Sequence, residues 1–179
     1  CAGLNACIRS IVLHAKGDYG WDVFGIRNGT LASPVYALEL DEHMCSTAMM
    51  RSGGTMLGST NRTADIFNSD GSPSDYAKDF VKGYQELSLD ALIGIGGDGS
   101  MKILRNLAEI GDLNLVTIPK TIDNDLGHTE TAIGFTTAVE VATEALDRLQ
   151  ATAASHQRVM ILEVMGRDAG HIALNAGLA

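Results

Sequence analysis

Residues 90–100 read DALIGIGGDGS, and the rest of the chain takes its meaning from that stretch. Asp90 to Ile95 is a largely apolar run of strand length, Gly96-Gly97-Asp98-Gly99-Ser100 breaks it, and Met101, Leu104 and Leu107 resume at helical spacing. Strand, glycine turn, helix is the unit from which a parallel sheet with helices on its faces is assembled. The glycines let the backbone turn sharply and bring N–H groups close to phosphate oxygens. The start of the following helix adds a favourable partial positive charge.

Moving toward the C-terminus, Asn114 to Ile118 is a second short strand, and Pro119-Lys120-Thr121-Ile122-Asp123-Asn124-Asp125 is too polar to be core. Phe135 to His156 is the longest helical pattern, with Ala138, Val141, Ala142, Ala145, Leu146 and Leu149 on one side. Arg158 to Val164 (RVMILEV) reads as a third buried strand, running into Met165-Gly166-Arg167-Asp168 and a small-residue helix that reaches the end of the chain. Toward the N-terminus, Leu4 to Lys16 is helical with Gly17 as its stop, and Trp21 to Ile26 is a strand before an Asn28-Gly29 turn. Ser74 is placed as N-cap of a helix carrying Tyr76, Phe80, Val81 and Tyr84. The polar region from Arg51 to Ser74 offers free backbone N–H groups at Gly53-Gly54-Thr55 and Gly58-Ser59-Thr60-Asn61, beside Arg62. This alternation predicts one α/β domain over residues 1–179, three-layered, with helices on both faces of a mostly parallel sheet. Ligands bind such sheets outside the carboxyl ends of the strands, so the three polar loops are expected to converge there.

Composition narrows the ligands. The 179 residues carry 13 Lys+Arg against 22 Asp+Glu, a net charge of −9, with no basic cluster. That balance argues against a nucleic-acid or anionic-membrane surface, since those bind through dense positive charge. No uncharged stretch approaches the roughly 20 apolar residues of a membrane span. Cys1, Cys7 and Cys45 lack CxxC spacing, which points away from a disulfide framework or zinc site and toward the cytoplasm. A phosphate ligand would repel Asp98, Asp123 and Asp125 unless a divalent cation stood between them. Mg²⁺, which takes one or two carboxylates with phosphate oxygens and waters, resolves the conflict. Singly, the loops have plainer readings: GGDGS as a tight turn with Asp98 capping the helix, similar also to turns of NAD kinases and lipid kinases, and TIDND as an Asx-rich loop. His128, His156 and His171 read as surface or satisfied polar residues.

Taken together, GGDGS at 96–100, PKTIDND at 119–125, SHQR at 155–158 and MGRDAGH at 165–171 occur in the order and spacing of the 6-phosphofructokinases. CAGLNACIR at 1–9 resembles the segment that follows that family's first glycine turn. The resemblance spans the whole chain and implies the donor-binding half of a phosphofructokinase-like fold. The family's Gly-Gly-Asp before Cys1 is absent, and Ala179 falls near the family's halfway point, so an N-terminal portion, truncated at both ends and inactive alone, is expected.

The resemblance implies conversion of fructose 6-phosphate to fructose 1,6-bisphosphate with Mg²⁺ in a homo-oligomer with shared active sites. Asp123 matches the base that accepts the proton of the sugar's primary hydroxyl, with Thr121 and Asp125 as its partners in the loop. Asp98 matches the magnesium-associated aspartate, while Gly97, Gly99 and Ser100 line the donor phosphates. Met165, Gly166 and Arg167 match the loop holding the sugar phosphate, and Arg158 an arginine that reaches a neighbouring subunit's sugar phosphate. Asn61 stands where many members carry a donor-side arginine, a role that passes to Arg62. Pyrophosphate-using members resemble one another in carrying Asp at the position of Gly99 and Lys at that of Lys120. Here only Lys120 is present, so ATP is expected as donor, with pyrophosphate the alternative. A carboxylate of ordinary pKa, about 4, is a weak base for an alcohol, yet the loose transition state of phosphoryl transfer lets the proton leave late. Positioning of the hydroxyl, with Mg²⁺ and Arg167 neutralising spreading charge, must supply most of the catalysis.

Overall fold

The computed structural model describes residues 1–31, 35–60 and 65–179, and they form an α/β protein that divides into two compact units, Gly3–Ile118 and Pro119–Ala179 with Cys1–Ala2. In the first unit, α1 (Leu4–Tyr19) leads to β1 (Val23–Ile26), which pairs antiparallel with β2 (Ala37–Leu40) in register Val23 to Leu40. Then follow α2 (Asp75–Glu86), β3 (Leu92–Gly96), α3 (Asp98–Gly111) and β4 (Leu115–Thr121), the last of which runs into the second unit. There β5 (Ile133–Gly134) pairs parallel with the end of β4, and α4 (Phe135–His156) and α5 (His171–Leu178) complete the unit. The strand order is β3-β4-β5.

Several boundaries depart from the sequence reading, each for a local reason. Gly17 does not stop α1. A single helix-interior glycine costs only about 1 kcal/mol, and the exposed His14–Asp18 pair spans it. The helix ends at Gly20, whose φ of +65° is left-handed, and the Gly20 and Trp21 amides close the last turn onto the Lys16 and Ala15 carbonyls. Pro119, Lys120 and Thr121 belong to β4, so the polar loop starts at Ile122. Most importantly, Arg158–Val164 is not a strand. Among the described residues nothing pairs with it, and Val159 and Ile161 are 91% and 90% exposed. A strand needs a ladder partner as well as apolar side chains, and composition cannot supply one.

Ser74 caps α2 as expected, its hydroxyl accepting from the Ala77 amide and donating to the Asp65 carbonyl at 2.6 Å. On α4 the packed side is Ala138, Val139, Ala142 and Leu146 against Ile172 and Ala176 of α5, whereas Val141 stays exposed. The main core lies in the first unit, where Ile66, Ala77, Phe80, Leu92, Leu104, Leu107 and Leu113 form one cluster. Leu107 is its fully buried centre, at 0% exposure. Leu107→Ala should destabilise the fold by about 2–5 kcal/mol through lost transfer energy plus a cavity, read as a fall in the denaturation midpoint. A loss below about 1 kcal/mol would mean that the site collapses around the truncation.

A second cluster joins α1 to the turns after β2 through Ile8, Val12, Leu40, Cys45 and Met49. Asn5, buried in α1, ties down the Gly-rich stretch. Its amide donates to the Ser52 and Gly53 carbonyls and its oxygen accepts from the Met56 amide. All three cysteines are free, and burial pushes the Cys7 and Cys45 thiols up from their ordinary pKa. No helix among the described residues is long and apolar enough to cross a membrane.

Candidate functional site

The GGDGS turn belongs to the first unit. β3 ends at Gly96, Gly97 is the N-cap of α3, and Asp98, Gly99 and Ser100 form the exposed first turn of that helix. Gly96 is required by close approach, because a Cβ there would lie 2.5 Å from the Ser100 Cβ. Asp98 is not the cap. It occupies the first helical position, where the helix dipole favours a carboxylate, and accepts from Lys102 Nζ at 2.8 Å. The start of α3 therefore presents backbone amides, one carboxylate and one lysine to solvent. A Cβ on Gly99 would meet nothing within 4 Å outside its own helix, so that face of the turn is open.

The second unit carries a cleft of about 490 Å³ lined by Asp123, Glu163, Val164, Met165, Gly166 and Arg167. Two acidic residues and an arginine thus line one open hollow. Asp123, at one side, is half-buried and its loop is braced at both peptide bonds. Its amide donates to Thr121 Oγ1 at 3.1 Å, and its carbonyl lies 3.2 Å from His171 Nδ1. Asn124 turns the chain at φ +50°, with its amide donating to the Glu130 carbonyl and its oxygen accepting from the Ala132 amide at 2.8 Å. The opposite side is a sharp reversal, with Gly166 at φ +141° and Arg167 at φ +49°. The Ala169 amide closes that reversal onto the Gly166 carbonyl.

Of the residues expected at the acceptor side, the fold brings Asp123, Met165, Gly166 and Arg167 together. Thr121 acts on the Asp123 backbone, and Asp125 and Arg158 are exposed outside the cleft lining. Lys120 is half-buried in β4 opposite Ile133. Arg62 lies outside the described residues. Glu163 went unread in the sequence, and His171, read there as a surface or satisfied polar residue, is satisfied by the loop of Asp123. Glu163 lines the cleft, and its signal was a lone charge inside an otherwise apolar run. His171 braces the loop, and its contact spans 48 residues, beyond the reach of local pattern.

Comparison with known proteins agrees with this architecture. The Phosphofructokinase family model matches residues 1–179. Among curated relatives, an ATP-dependent 6-phosphofructokinase 1 from a Nostoc species is 61% identical over 187 residues, covering 100% of this chain and 51% of that protein. One from a Synechocystis species is 57% identical over 183 residues, covering 99% of this chain and 50% of that protein. A solved phosphofructokinase from Saccharomyces cerevisiae is similar with a TM-score of 0.84 at 26% identity, covering 99% of this chain and 26% of that one. A pyrophosphate-dependent phosphofructokinase from Marinobacter aquaeolei shares the fold with a TM-score of 0.75 at 24% identity. The glycine turn that starts α3 and the cleft of the second unit belong to a protein of the α/β class. More narrowly, the chain belongs to the phosphofructokinase family. It spans about half the length of the curated relatives it matches.

Proposed function

We propose that this chain carries the donor turn and acceptor cleft of an ATP-dependent 6-phosphofructokinase, which phosphorylates the primary hydroxyl of fructose 6-phosphate to give fructose 1,6-bisphosphate. The observation that carries the reading is the meeting of Asp123 and Arg167 in one cleft. The 61% identical relative that bears the same name supports it. Asp123 accepts the hydroxyl proton on its carboxylate. Arg167 neutralises charge on the transferring phosphoryl group, and Met165 and Gly166 shape the sugar's seat. Thr121 holds the base through its main chain, and Asp125 adds a second carboxylate to the loop. Arg158, exposed, fits a role toward a sugar phosphate on a neighbouring subunit of a homo-oligomer. Gly97, Gly99 and Ser100 line the donor phosphates, with Lys120 and Arg62 as accompanying cations.

Asp98 is the residue that would hold Mg²⁺. Among the described residues no group of three or more His, Cys, Asp or Glu side chains is placed to enclose a metal. One hard carboxylate at a phosphate-binding turn is nonetheless the donor set Mg²⁺ accepts, since the nucleotide and water complete its shell. When bound, the ion withdraws charge from the donor phosphates. The open turn at Gly99 leaves room for the α-phosphate of ATP, the ATP-dependent names of the relatives support that donor, and the free thiols fit a cytoplasmic setting.

Steady-state assay of the complete gene product tests this reading. With fructose 6-phosphate and Mg²⁺·ATP, kcat should fall in the roughly 1–100 s⁻¹ range of kinases. Absence of fructose 1,6-bisphosphate formation would overturn it.

A further inference from the structure

We propose that His171 is a positioning residue for the base, holding the main chain of Asp123 through its Nδ1–H. The role rests on the reading of Asp123 as the base. Nδ1 lies 3.2 Å from the Asp123 carbonyl and 3.0 Å from the Asn124 carbonyl. Both partners are acceptors, so the proton must sit on Nδ1, and one N–H serves two consecutive peptide oxygens. The left-handed turn at Asn124, φ +50°, allows both carbonyls to face one donor.

The other ties on this loop are local. Thr121 to Asp123 spans two residues, and the Asn124 side chain reaches only Glu130 and Ala132. Such bonds shape the loop but let it move as a body. The His171 bond instead ties it to α5, where Ile172 and Ala176 are buried against Ala142 of α4 and the Asn175 amide donates to the His171 carbonyl. Helix packing is thereby transmitted to the two peptides that follow the Asp123 Cα, while Thr121 holds the one that precedes it, and together they set the direction of the carboxylate. Displacement of a reacting group by about 1 Å costs on the order of a hundredfold in rate, so the tether should act on kcat.

Variants of the complete gene product test this. His171→Leu should lower kcat by roughly 30–100-fold while leaving KM for both substrates within about threefold, since the cleft walls remain. His171→Asn places an amide nitrogen where Nδ1 stood and should recover most of the loss. His171→Gln, whose amide lies one carbon further out, should not. Nitrogen-15 NMR of the imidazole should show the Nδ1–H tautomer at neutral pH. A folded His171→Leu enzyme with more than about a third of wild-type kcat, equal impairment of the Asn and Leu variants, or the Nε2–H tautomer would each overturn the proposal. Loss of kcat in Asp123→Ser without loss in His171→Leu overturns the positioning role alone. Retention in both overturns the assignment of the base with it.

Discussion

Asp123→Ser in the complete gene product should lower kcat by about 10²–10⁴, the usual worth of a positioned general base, with KM for fructose 6-phosphate nearly unchanged. The substitution isolates the carboxylate well. The loop is held by the Asp123 amide on Thr121 and the Asp123 carbonyl near His171, and both are main-chain groups that serine retains. Arg167, Met165 and Gly166 keep their places on the opposite wall, so the sugar phosphate should still bind. What disappears is the only group on that loop lining the cleft that can take a proton from an alcohol. Steady-state kinetics over a range of both substrates decides the matter, and a mutant keeping more than about a third of kcat would reduce Asp123 to a structural loop residue.

Gly99→Asp should move the enzyme away from ATP. The added Cβ meets nothing within 4 Å outside the helix, and an acidic residue in the first turn of α3 suits the helix dipole, so the variant should fold. A carboxylate about 4 Å from the α-phosphate of a nucleotide costs on the order of 4 kcal/mol at an effective dielectric of about 20. Solvent at this exposed turn trims that figure, which leaves a fall of roughly 10²–10³ in kcat/KM for ATP. Pyrophosphate has no α-phosphate to repel and should lose far less. Unchanged use of ATP, or an unmutated enzyme that prefers pyrophosphate, would overturn ATP as the natural donor.

The parts of the fold that could be read from sequence are those governed by neighbours along the chain. Phe135–His156 emerges with the expected bounds, and Ser74 caps its helix because capping is a three-residue interaction. The GGDGS turn follows from glycine sterics, although Asp98 proved to be the first helical residue and Gly97 the cap. Failures arise where a distant partner decides. RVMILEV has strand composition and no strand beside it. Ala37–Leu40 becomes a strand by pairing with β1, a pairing that its short run ALEL does not announce. In the cleft the same division holds. Asp123 and Arg167 sit in loops whose polarity exposed them to reading, whereas Glu163 was hidden in an apolar run and His171 acts across 48 residues.

The exposed ribbon at Val159–Val164 also bears on how the polypeptide fares in dilute solution. Among the described residues no backbone hydrogen bond holds it, and it exposes Val159 and Ile161 on one side while Met160, Leu162 and Val164 are half-buried on the other. Such a segment is a template for edge-to-edge association with other extended chains. Arg158 and Glu163 stand at its two ends as charged gatekeepers, which shortens the uncharged stretch to Val159-Met160-Ile161-Leu162. Neutralising Arg158, exposed outside the cleft lining, would lengthen the sticky stretch without altering the cleft, whereas neutralising Glu163 would lengthen it and change the cleft wall as well.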